Sequence, residues 1–119
     1  SHLRYMLQRL LASFCQIPGV QFATIIDSIG NELMQTYSSN SQDVSFMDFG
    51  NLLQTLDMSS KLFDMGLANQ CWIESKNGSI ILCALPNRTY IGLLTNEDPN
   101  LGRLSYELNT KKEAIAQLM

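Results

Sequence analysis

Three features of this chain predict an α+β domain built on one antiparallel sheet. The order of elements is helix, strand, strand, helix, strand, strand, strand, helix. The richest strand, Ile80-Ile81-Leu82-Cys83-Ala84-Leu85, is apolar on both faces, so helices must cover the sheet above and below. The length of 119 residues suits a single domain, 1–119, which buries roughly two thirds of the surface its unfolded chain exposes. A core packed this densely leaves no evident pocket and points to a protein that works through its surface.

The first helix follows from Leu3, Met6, Leu7, Leu10, Leu11 and Phe14, which recur at three- and four-residue spacing and build one apolar face. Pro18-Gly19 end it. Ser1-His2 reads as a cloning remnant, which leaves no native histidine. Phe22 to Ile26 is β-branched and aromatic, the first strand. Asp27-Ser28-Ile29-Gly30 is a turn in which the carboxylate accepts backbone hydrogens. Glu32 to Tyr37 is a second, more polar strand at a sheet edge, and residues 38–43 are a polar loop.

A long second helix over 45–67 is expected next, with Ser45 as its N-cap and Gly66 near its end. At 100° per residue, Leu52, Leu53, Leu56, Ser60, Phe63 and Leu67 lie within about 60° of Phe49 and face the sheet. Met47, Met58, Leu62 and Met65 fall near the opposite pole. One helix of a small domain cannot bury both poles in its own core, so the second stripe needs another chain or lies exposed. The last three strands are Gln70–Ser75, Ser79–Leu85 and Thr89–Thr95. Asn77-Gly78 predicts a two-residue hairpin loop that sets Cys71 opposite Ala84 and Trp72 opposite Cys83. The two cysteines then point to opposite faces and form no disulfide. With Cys15 they read as three reduced, buried thiols of a cytoplasmic protein. Asp98 or Asn100 caps a closing helix whose core face is Leu101, Leu104, Leu108, Ile115 and Leu118, against a solvated Lys111-Lys112.

Composition and motif exclude several function classes. The net charge is −3 without a basic stripe, which disfavours nucleic acid and anionic membrane. The apolar runs fall far short of the ~20 residues that span a bilayer. No cysteine pair has metal-ligand spacing, and no phosphate-cradling glycine loop exists. Nucleophilic catalysis needs a base beside its Ser or Cys, and none is available. The carboxylate pairs Asp27 with Glu32 and Glu97 with Asp98 sit in a turn and a cap, which explain them without acid–base chemistry. The expectation is a protein without catalytic, cofactor or metal residues.

Three segments carry a family likeness: Ile17-Pro18-Gly19-Val20 after the first helix, Phe22 to Gly30 as a hairpin of the "gaaiiD-x-x-G" kind, and Asn100-Leu101-Gly102-Arg103-Leu104 before the last. Together they resemble the roadblock/dynein light chain domain over nearly the whole chain. Gln21-Phe22 and the Ser/Asn-rich loop at 38–43 are less typical of it. The resemblance implies a five-stranded antiparallel sheet with the long second helix on one face and the N- and C-terminal helices on the other. It implies a homodimer paired through edge strand 70–75 and helix 45–67, which gives Met47, Met58, Leu62, Met65, Trp72 and Ile73 to a dimer or partner interface. It also implies regulation or scaffolding of a small Ras-like GTPase through protein contacts. A structural adaptor indifferent to nucleotide, and a small-molecule sensor with a cavity between sheet and helices, are the competing readings.

Overall fold

The structure is a computed structural model and describes residues 2–27, 31–38, 70–75, 78–96 and 100–119, with the backbone alone for 71 and 73–75. Its elements are α1 (His2–Phe14), β1 (Val20–Ile26), β2 (Glu32–Tyr37), β3 (Gln70–Ser75), β4 (Gly78–Ala84), β5 (Tyr90–Thr95) and α2 (Leu101–Gln117). The strands form one sheet in the order β2-β1-β5-β4-β3, antiparallel throughout. The sheet is therefore two sequence-local blocks, β1–β2 and β3–β4–β5, sewn together where β1 meets β5.

The expected three-helix arrangement is corrected. The described residues hold two helices rather than three, α1 and α2, and both pack against the same face of the sheet. Each buries a single apolar stripe, Leu7, Leu11 and Phe14 in α1 and Leu104, Leu108 and Ile115 in α2, and one sheet face covers both stripes. The layer assigned to a helix over 45–67 lies outside the described residues, as do Met47, Met58, Leu62 and Met65.

Under the two helices, Ala23 and Ile25 of β1, Met34 of β2, Ile81 and Cys83 of β4 and Ile91 and Leu93 of β5 form one cluster with the helix stripes. Alternation along each strand sends Phe22, Thr24, Ile26, Ile80, Leu82 and Leu94 to the other face, where they too are buried. This two-sided burial is why Ile80 to Leu85 carries no polar residue. Phe22 stacks at a tilt on Tyr37, ring centroids 4.8 Å apart, which ties β1 to β2.

Local chemistry closes the connections. Asp27 accepts from the Asn31 backbone N–H at 2.9 Å and from Asn31 Nδ2 at 3.2 Å, so its carboxylate belongs to the β1–β2 turn. Gly19 at φ 95° turns the chain from α1 into β1, and its carbonyl accepts from Asn96 N at 2.8 Å. Asn100 is the N-cap of α2, its Oδ1 accepting from Arg103 N at 3.1 Å.

The β3–β4 register differs from the expected one by two residues. Ser75 pairs with Gly78, Cys71 with Leu82 and Trp72 with Ile81, so the connection is residues 76–77 and Gly78 is the first residue of β4. The reason is steric. Gly78 has φ 153°, and a Cβ there would run into the carbonyl oxygen of Thr95. Beside it, Thr95 Oγ1 accepts from Ser79 N at 3.1 Å and donates to Ser79 O at 3.2 Å. The glycine serves the close approach of β4 to β5 rather than the hairpin turn.

Candidate interaction surfaces

The described sheet ends in two outermost strands, β2 and β3. β3 pairs with β4 on one side, so its other side is the natural place for a further strand. How β3 is held decides whether that edge is a rigid platform. Gln70 is the anchor. Its Nε2 donates to Asn109 Oδ1 at 3.2 Å, and its Oε1 accepts from Ser105 Oγ at 3.4 Å and from Trp72 Nε1 at 3.3 Å. Trp72 is half-buried and packs onto the cluster under α2. Its indole N–H is satisfied by the neighbour two residues back on the same strand face. The strand is thus fastened to α2 through one face.

Of the interface residues expected from sequence, Trp72 is in the described structure with its ring turned onto the core. Ile73 has its backbone opposite Ile80. The four residues of the Met47, Met58, Leu62 and Met65 stripe lie outside the described part.

Sequence reasoning missed a polar seam between the two helices. Lys111 Nζ sits 2.8 Å from Glu107 Oε2 and donates to Ser13 Oγ at 2.7 Å, and it lies 5.2 Å from the ring centroid of Phe14. The residue read as solvated is a clamp across α1 and α2, combining an ion pair, a hydrogen bond and a cation–π contact. The four-residue spacing from Glu107 to Lys111 was a legible signal for the ion pair. Nothing local pointed to Ser13.

Two thiols can be assigned. Cys83 is fully buried, and burial pushes its pKa up while nearby Lys112 pulls the other way. Cys15 is half-buried, its Sγ 3.7 Å from Thr36 O, and burial pushes its pKa from 9.0 up to about 11. The native fold therefore keeps a proton that the unfolded chain releases, so this thiol subtracts stability as pH climbs from 9.0 to about 11 and costs nothing below that window. At pH 8, Cys15 carries about a hundredfold less thiolate than an unhindered cysteine. Timed alkylation with iodoacetamide checks this: Cys15 should label at least that much more slowly than the unfolded chain in urea. Equal rates would show the thiol to be ordinary.

A cleft of about 440 Å³ opens between the 15–21 turn, Ser38 and Asn96. None of its lining residues is charged, and it lies at the end of the sheet, not between sheet and helices. Among the described residues no cluster of three or more His, Cys, Asp or Glu could hold a metal ion, and no helix is long and apolar enough to cross a membrane.

Comparison with known proteins places this arrangement. No protein-family model matches the chain, and no curated protein does. Solved structures match over nine tenths or more of its length. An MglB in a tetrameric arrangement aligns with a TM-score of 0.81 at 14% identity, over 99% of this chain and 90% of that one. The gliding protein MglB from Thermus thermophilus aligns with a TM-score of 0.80 at 14% identity, over 99% and 91%. A Roadblock/LC7 domain from Streptomyces avermitilis aligns with a TM-score of 0.65 at 22% identity, over 91% and 96%. At these identities the likeness is one of fold.

Proposed function

We propose that this chain, which folds as the MglB and Roadblock/LC7 domain proteins do, is a non-enzymatic, homodimeric regulator or scaffold of a small Ras-like GTPase. The observation that carries the reading is that full-length likeness of fold, in which β3 stands as an outermost strand fastened from behind by Gln70 and Trp72. A second copy pairs along β3 by twofold symmetry and continues the sheet. The Met47, Met58, Leu62 and Met65 stripe then meets its counterpart, with Trp72 and Ile73 beside the seam. A strand edge with the apolar side chains beside it is enough for the ~800 Å² per partner of a standard interface. The GTPase brings its own nucleotide, Mg²⁺ and phosphate contacts. The dimer contributes by favouring one arrangement of its switch segments.

Titration with Ras-like GTPases loaded with GTP or GDP tests this, read by binding and by phosphate release. Binding that depends on the nucleotide supports regulation. Binding indifferent to it supports an adaptor. No binding across the candidate GTPases of the source organism ends the proposal. Self-association is tested separately by sedimentation velocity. Met58→Glu with Met65→Glu is expected to keep the helix content and to weaken the dimer by two orders of magnitude or more, on the order of the several kcal/mol that unpaired buried charges cost. An unchanged dimer would remove the methionine stripe from the seam. The tetrameric arrangement of one MglB makes a tetramer a further species to look for in the same runs.

A further inference from the structure

The described sheet ends in β2 as well as β3, and a chain that paired with copies of itself along both edges would grow into an open ribbon instead of closing. The β2 edge is not left bare. Ser38 N donates to Gln21 O at 2.9 Å, which sets the phase of the β1–β2 ladder. Backbone groups of an antiparallel strand point alternately toward its partner and away from it. Thr36 and Met34, opposite Ala23 and Ile25, therefore turn theirs toward β1, and Gln35 and Tyr37 turn theirs to the outer edge. The outward carbonyl of Gln35 is already taken: Gln8 Nε2, from α1, donates to it at 3.2 Å. An added strand would bring a backbone N–H to that same place.

The helix is built to put a side chain there. Taking the buried stripe of Leu7, Leu11 and Phe14 as the inward direction, Gln8 stands about 90° round the helix, on the flank over β2. Cys15, two turns later, shares that flank, and its Sγ lies 3.7 Å from Thr36 O. Two side chains of one flank thus reach consecutive residues of β2. The face of the strand is occupied too, where the Tyr37 hydroxyl donates to Gln35 Oε1 at 3.3 Å. β3 is held differently. The side-chain bonds of Gln70 run to α2 and to Trp72, through the face of the strand and not along its outer edge. We infer that Gln8 guards the β2 edge: its amide fills the backbone acceptor that an incoming strand of a second copy would need, and so confines strand pairing to β3. The inference builds on the β3 pairing proposed above only in naming the edge left open. One neutral bond at the surface contributes little to folding, so the role shows in assembly and not in melting temperature.

Gln8→Ala tests this on the intact chain, by sedimentation velocity over a range of concentrations and by amide hydrogen exchange. In the unaltered chain the Gln35 and Tyr37 amides should exchange freely, while the size of the assembly reaches a limit as concentration rises. Gln8→Ala should grow past that limit, and exchange at the Gln35 and Tyr37 amides should slow by about tenfold or more as β2 pairs. Gln8→Lys restores a donor long enough to reach the carbonyl and should stop where the unaltered chain stops. A Gln8→Ala variant that stops at the same size, growth without slower exchange at those two amides, or equal growth of Gln8→Lys would each overturn the inference. So would slow exchange of both amides in the unaltered chain, since the edge would then be paired with Gln8 in place. Whether the unaltered chain stops at one copy or more is the separate question of the β3 dimer, and GTPase binding enters none of these outcomes, so the readings fail separately.

Discussion

Phe14→Ala is expected to cost about 4 kcal/mol, the usual range for removing a fully buried aromatic ring, and to lower the melting temperature by about 15 °C. Phe14 has no exposed surface and is among the largest wholly buried side chains of the described residues. It closes the C-terminal end of α1 over the sheet and is the ring beneath the Lys111 ammonium. Removing it leaves a cavity and strips one of the three contacts that hold the inter-helix clamp. Phe14→Leu keeps most of the volume and should cost only about 1–2 kcal/mol. Thermal unfolding followed by circular dichroism measures both. If alanine and leucine prove equally mild, the cluster under α1 is looser than its burial implies.

Gly78→Ala follows with an expected loss of about 3 kcal/mol, which corresponds to about 12 °C in melting temperature. Alanine is otherwise among the mildest replacements for glycine. Here its one added carbon would meet the backbone carbonyl of Thr95, which cannot swing aside like a flexible side chain. Thr95 is held in place by its reciprocal hydrogen bonds to Ser79. Relief requires β4 to move off β5 at the start of the strand that carries β3 on its other side. The variant should therefore lose self-association as well as stability, and the same sedimentation runs report on it. A change below about 2 °C would mean that β4 yields without penalty and that the expected Asn77-Gly78 turn deserves another look.

The strands were legible because their signals are local. Phe22 to Ile26 and Ile80 to Leu85 announce themselves by β-branching and by apolar runs, and Asn100 announces α2 by its cap chemistry. The β3–β4 register was not, because Asn-Gly is a strong turn signal and nothing nearby revealed that the glycine was needed against a strand 17 residues further on, at Thr95. Lys111 was misread for the same reason. A Lys-Lys pair on a polar helix face looks solvated, and its partner Ser13 is 98 residues away in the chain. The edge position of β3 was expected from the family resemblance rather than from composition, and the strand order agrees with it. The six expected interface residues were chosen by helical angle, by aromatic character and by place on the edge strand. Trp72 shows the limit of that reasoning, since an aromatic on an edge strand can serve the strand's own attachment as readily as a partner.

The seam between β1 and β5 has a consequence for biosynthesis. Val20 finds Thr95 and Ile26 finds Tyr90, so the first strand's inner neighbour is the last strand to be translated. At ordinary elongation speeds roughly 3–15 s separate their emergence from the ribosome. For that interval the nascent β1–β2 hairpin keeps one apolar flank without its mate, a window in which chaperone capture competes with sticking to neighbouring chains. A circularly rearranged gene that delivers the final strand immediately before the first should shorten that wait and raise the yield of properly folded material made at high expression.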